Sequence, residues 1–134
     1  MVELAFILPL ALILLLVTIQ FAIIGAEALA VNQLAYAGAR YAAANDTLVA
    51  SDISTYMKSI ASSLINENSG AHLTITVCVP SGNTCPTSTT TRVTGNPVKV
   101  GVSYDLSSKI VLPNPFLGIA LPTTLSGTQT MMSE

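Results

Sequence analysis

Charged side chains are scarce. The 134 residues carry five lysines and arginines and seven aspartates and glutamates, 9% of the chain, for a net charge of −2. So small a balance leaves no basic footprint for nucleic acid and no acidic tail. Histidine occurs once and cysteine twice, too few for a structural metal site built from those ligands. The single histidine, His72, stands at the start of a strand-like run, where it reads as an exposed polar residue and not as a general base. No serine lies in a nucleophile elbow, no glycine-rich loop precedes a helix, and no acidic pair has a recognisable spacing. The sequence therefore names no residues for catalysis and implies no cofactor.

What the chain has in excess is apolar surface, at 51% of its residues, gathered at one end. Residues 4–26 (LAFILPLALILLLVTIQFAIIGA) run 23 positions without a charge, long enough to cross a bilayer as a helix. A cleavable secretory signal fits this run poorly. The run exceeds an h-region, no Lys or Arg precedes it, and no small-residue cleavage site interrupts it before Glu27. A plain single-pass anchor and a helix that packs in a filament share the pattern, so the residues beyond must separate them.

Helical character continues through AEALAVNQLAYAGARYAAA, residues 26–44. A helix over residues 2–44 would be roughly 65 Å long, about twice the hydrocarbon core. Steps of 100° bring Gln20, Glu27 and Asn45 close to one line and place Asn32, Gln33, Tyr36 and Arg40 on a broad second face, the rest being apolar. A helix greasy on several sides and longer than a membrane calls for neighbours that a lone anchor does not supply. The small residues Gly25, Ala28, Ala35, Gly38, Ala39, Ala42 and Ala43 would let other helices approach closely.

After Asn45 the texture changes. Ser51 predicts the N-cap of a second helix over about residues 52–65, with Asp52 in its first turn and Ile53, Tyr56, Met57, Ile60, Ser63 and Leu64 at helical spacing. Gly70 marks the stop. The period then falls to two: Leu73, Ile75, Val77 and Val79 alternate with polar neighbours, as do Val98, Val100, Val102 and Tyr104. A third, weaker strand is expected over about residues 125–131. Between the second and third strands, residues 111–122 (VLPNPFLGIALP) are apolar but broken by prolines, which predicts a loop in which Phe116, Leu117 and Ile119 cover apolar surface.

Cys78 and Cys85 flank VPSGNT, whose Ser-Gly-Asn turn chemistry brings two thiols together, and the spacing matches no common zinc or redox pattern. A disulfide here would place the C-terminal part in an oxidising compartment and the start of the apolar helix toward the cytoplasm. Thr84, Thr87, Ser88, Thr89, Thr90 and Thr91 form a solvated loop and are the candidates for O-linked sugars. Asn45-Asp46-Thr47 has the form of a glycosylation sequon. Pro9 removes a backbone donor inside the span and frees the Ala5 carbonyl, so a kink or loosened turn is expected between residues 5 and 9.

The opening VELAFILPLALILLL (2–16), with a glutamate just before the apolar run and a proline within it, resembles the N-terminus of TadE-like pseudopilins of tight-adherence pili. The end, residues 98–134, resembles that family's C-terminal arrangement: a V-x-V-x-x-Y strand, a Pro/Leu-rich connector, then a Leu-Ser strand finishing in Met-x-x-Glu. Residues 50–97 are weakly constrained by the resemblance, and Met132 stands where related sequences often carry Arg. The resemblance implies a type IV pilin-like protein made with a short basic leader, cut after a glycine by a prepilin peptidase, and extruded from the inner membrane by an ATPase-driven machine. It implies that Glu3 pairs with the N-terminal ammonium of a neighbouring subunit. Pro9, Glu27 and Arg40 are the other expected assembly residues, Glu27 pairing with Arg40 of another chain.

The expected fold is α+β: a long N-terminal helix over residues 1–45, serving as membrane span and then filament core, and a small exported domain over residues 46–134 with a second helix and an antiparallel sheet. The expected function is structural, as a subunit of a helical homopolymer that starts in the inner membrane and ends on the cell surface. The alternative is a single-pass membrane protein whose exported domain binds a partner.

Overall fold

The computed structural model describes residues 2–45, 49–65, 72–79, 95–107, 110 and 120–132, and of residues 2–6 and 62–64 the backbone alone. The fold is α+β, as the sequence predicts: helix α1 (Val2–Ala44), helix α2 (Ala50–Leu64), and strands β1 (Leu73–Cys78), β2 (Pro97–Asp105) and β3 (Thr124–Met132). Gly70 and the connector residues Phe116, Leu117 and Ile119 lie outside the described residues.

Helix α1 runs 43 residues because Ala, Leu and other good helix formers dominate it and its apolar surface meets no breaker other than Pro9. The helix continues through Pro9 without interruption. At Pro9 the ring nitrogen has no proton to donate to the Ala5 carbonyl. At the far end the Asn45 side chain donates to the Tyr41 carbonyl at 3.0 Å, satisfying one of the helix's last acceptors.

Helix α2 starts earlier than the sequence suggests. Its N-cap is Val49, in extended backbone and without a side-chain cap; the Asp52 and Ile53 N–H groups both reach the Val49 carbonyl. Ser51 therefore lies in the first turn and caps nothing. Its carbonyl instead accepts the hydroxyls of Ser54 and Thr55 at 2.7 and 2.9 Å. Ile53, Met57, Ala61 and Ile65, four residues apart, are the buried stripe.

The three strands form one antiparallel sheet in the order β1-β2-β3. The register sets Ile75 opposite Val102 and Val77 opposite Val100, then Val100 opposite Gln129 and Val102 opposite Gly127. Because side chains alternate, this puts Leu73, Ile75, Val77, Val98, Val100, Val102 and Tyr104 on one face with Leu125, Gly127 and Met131. That face carries α1 and α2. The core joins Val31, Leu34, Ala35, Ala39 and Ala42 of α1 to Ile53 and Met57 of α2 and to the valines and Tyr104 of β2.

Two glycines set how closely α1 packs on its neighbours. A side chain at Gly127 would stand 3.3 Å from the Val31 carbonyl oxygen, so α1 crosses β3 where β3 has no Cβ. At Gly38 a Cβ would overlap the Met57 sulfur, so α2 seats Met57 in the notch that Gly38 leaves in α1. Beside it the rings of Tyr41 and Tyr56 stack, 3.8 Å apart and 16° from parallel. The second half of α1 is therefore part of the same core as the sheet. Ala35, Gly38, Ala39 and Ala42, expected to admit other helices, are fully or nearly buried inside this chain, and Gly25 has open space beside it.

Candidate membrane and assembly surface

The two halves of α1 differ in composition and in partners: Leu, Ile and Val dominate residues 2–19, whereas residues 20–44 mix alanines with Gln20, Glu27, Asn32, Gln33 and Arg40. From Ile7 to Ile19 every side chain is exposed except the half-buried Val17, with Leu10 at 65%. Covering starts at Gln20, 3% exposed, and continues through Ile24, Ala30 and Val31 along the side facing the sheet. Residues 2–19 rise about 27 Å, close to the roughly 30 Å of a hydrocarbon core. α1 is long and apolar enough to cross a membrane by length and composition. So much leucine and isoleucine facing outward is a contact surface for lipid or for other chains.

Above the span the outward side of α1 is mixed. Asn32, Gln33, Tyr36 and Arg40 are exposed, as the helical spacing predicts, and Leu29 stands among them at 66%. Glu27 is half-buried, on the covered side. Glu27 and Arg40 are 13 residues apart, about 20 Å along the axis and on nearly opposite sides of the helix, so one chain cannot pair them. Arg40 instead borders a recess with Tyr36, Ala43, Ala44, Met131 and Met132. Glu3 is in the first turn of α1, and its side chain lies outside the described residues.

Cys78 closes β1, 6% exposed, with its sulfur 3.7 Å from the Lys99 carbonyl oxygen. Cys85 lies outside the described residues, as do Thr84, Thr87, Ser88, Thr89, Thr90 and Thr91. In the sequon-like Asn45-Asp46-Thr47 only Asn45 is described, with its amide on Tyr41.

His72 is partly exposed and approaches Asp105, Nδ1 to Oδ2 4.0 Å. The Ser107 backbone N–H donates to Asp105 Oδ1 at 2.9 Å. That bond, with the Ser107 hydroxyl and the nearby His72, holds the Asp105 carboxyl below its ordinary value of 3.8. A depressed acid contributes stability that is present above the unfolded-state value and lost as pH falls through the folded one. The turn after β2 should hence loosen only below about pH 3.8. Carbon-detected titration of Asp105 is expected to show its midpoint below 3.8, and Ser107→Ala to move that midpoint up; a midpoint at or above that of a free aspartate would refute the assignment.

Several contact-making residues escape a reading by pattern. Gly38 and Gly127 were legible only as small residues, and the tyrosine stack joins two helices whose relative rotation no local pattern fixes. A glycine inside each of β2 and β3 was the available signal of close approach.

Comparison with protein-family models, with curated protein sequences and with solved structures finds no match. The class of the protein is thus set by its own geometry: an α+β domain carried on a long apolar helix whose first half has no partner among the described residues.

Proposed function

We propose that the chain is a structural subunit of an extracellular type IV-like filament, related to the TadE-like pseudopilins that both its ends resemble. The observation that carries the reading is the unpartnered half of α1. Among the described residues its side chains from Ile7 to Ile19 are exposed, apart from the half-buried Val17, and the helix goes on to present Leu29 and Tyr36 outward beyond the thickness of a membrane. Packing copies of α1 side by side would cover both. The subunit would start in the inner membrane, be trimmed by a prepilin peptidase, and join a homopolymer through an assembly machine, as the resemblance implies. Glu3 would supply register, because a carboxylate drawn into an apolar bundle requires a partner.

One observation favours a single-pass anchor with an exported binding domain. The second half of α1 is already covered by α2 and the sheet, so the length of the helix alone does not call for neighbours. Electron microscopy of sheared cell-surface material, with mass identification of the chain, separates the two. The expected result is filaments containing this chain; its retention in the membrane with no filament under inducing conditions would favour the anchor.

The disulfide belongs to the same reading, since an exported domain folds in an oxidising compartment. Closing the short loop from Cys78 to Cys85 would contribute roughly 2.5 kcal/mol. Mass spectrometry of alkylated, unreduced protein is expected to find neither cysteine modified. Two alkylated cysteines would remove both the bond and its argument for the compartment.

A further inference from the structure

Among the described residues the sheet is open at both edges: the strands pair only in the order β1-β2-β3, and neither β3 nor residues 73–77 of β1 take any other backbone bond. The direction of the free groups follows from one contact. The Asp105 N–H donates to the His72 carbonyl, so the odd-numbered residues of β2 point their backbone groups at β1 and the even-numbered ones at β3. The bond from Leu106 N–H to the Thr123 carbonyl agrees. By the register, Leu125, Gly127, Gln129 and Met131 face β2, which leaves the N–H and C=O groups of Thr124, Ser126, Thr128 and Thr130 pointing outward. All four of those residues are exposed. On β1 the outward groups belong to Leu73, Ile75 and Val77.

Exposed edges are ordinarily blunted by a charge or a proline. Residues 73–78 (LTITVC) and 124–132 (TLSGTQTMM) contain neither. We propose that copies of this chain join edge to edge, β3 of one pairing with β1 of the next. Polarity selects this pairing. β1 and β3 are both antiparallel to β2 and so run in the same direction; joining β3 to the next β1 in parallel repeats the unit by near-translation. Every α1 then points the same way, as copies inserted in one membrane must. Antiparallel pairing of two β3 edges would instead relate the copies by a two-fold axis perpendicular to the sheet. An α1 lying on that sheet would be reversed, and one of the pair would leave the membrane. The parallel joint brings Ser126, Thr128 and Thr130 beside Thr74 and Thr76, cross-strand hydroxyl neighbours of a favourable kind. The occupant of the edge is a second copy, and the arrangement is open-ended. The inference rests on α1 standing in a membrane, and does not depend on the filament.

The test uses the full chain in its membrane. A photoreactive benzophenone side chain replaces Thr128, whose exposed side chain leaves β3 on the sheet's outer face. Irradiation is expected to give adducts of two, three and more copies, mapped by mass spectrometry to residues 73–78 of the neighbour. Adding Ser126→Pro removes an outward donor without touching the pairing to β2, and is expected to abolish the adducts while the amount of membrane protein is unchanged. Adducts to residues 124–132 of a second copy, adducts to another protein, adducts that survive Ser126→Pro, or no adduct at all would overturn the proposal. Carbonate extraction of the same membranes reads α1 insertion separately: a soluble chain would overturn the polarity argument and the membrane reading together, whereas failed adducts from an inserted chain would overturn the edge pairing alone.

Discussion

Gly127→Val is expected to lower the melting temperature of the purified chain by roughly 10 °C, the shift that corresponds to about 2–3 kcal/mol for a domain of this size. The sign is not obvious, since valine is the better strand residue. Space decides it. A Cβ at position 127 already meets Val31 Cγ1 and the Val31 backbone oxygen at 3.3 Å and Asn32 Oδ1 at 3.0 Å. The two methyls of valine reach further into a helix backbone that cannot rotate out of the way as a side chain would. α1 must rise off β3 or the strand must bend, and either opens the core around Leu34 and Val102, 0% and 2% exposed. Gly127→Ala should cost much less, because its single methyl needs a shift of only a few tenths of an ångström. Gly38→Ala is the contrast, since it meets no backbone but the sulfur, methyl and Cγ of the buried Met57, which must repack to admit it. Thermal melting in detergent checks all three, and a Gly127→Val variant that melts with the wild type would show that α1 does not cross β3 where described.

Glu3→Leu is expected to leave the membrane level of the chain unchanged and to abolish filaments. The substitution makes the segment more apolar, so insertion cannot suffer from it. An acid in a first helical turn gains only about 0.3–1 kcal/mol from the helix dipole, a loss that a plain anchor tolerates. In a bundle of α1 helices the carboxylate has a different role. It is the only charged side chain in the first 26 residues, and pairing it with the N-terminal ammonium of a neighbour would fix the axial position at which a new subunit docks. The measurement keeps membrane protein and shed filament apart. Filament at wild-type yield from Glu3→Leu would end the pairing mechanism while leaving the filament itself in place.

The elements were legible because each has its own period. Twenty-three uncharged residues read as a span, and Leu73, Ile75 and Val77 or Val98, Val100 and Val102 read as half-buried strands, since alternation is what a sheet with one covered face imposes. The start of α2 was misplaced because Ser51 has the chemistry of a cap, whereas Val49 caps through its backbone conformation alone. Of the small residues of α1, Ala35, Gly38, Ala39 and Ala42 pack inside this chain against α2 and the sheet, whereas Gly25 has open space beside it. Ala35 and Ala39 look the same in sequence whether they face another subunit or the strands of their own chain, because the distance between residue 39 and residue 100 is set only when the sheet folds back. The direction of free backbone groups along β3 was not legible at all. It depends on register, which a one-residue slip would invert.

A single helix forms both the buried wall of the domain and the greasy segment below it, with no break between residues 2 and 44. The domain has no hinge at its neck, and its heading is geared to the helix that carries it. Inserting one residue between Ile13 and Leu14, both exposed, would swing the whole head by about 100° and lift it about 1.5 Å, with no change in any contact inside it. Tension applied along the helix would likewise reach the sheet directly, as shear where α1 crosses β3 at Gly127. The chain behaves mechanically as a key on a rigid shaft, in which the phase of the shaft sets which way each face of the sheet looks.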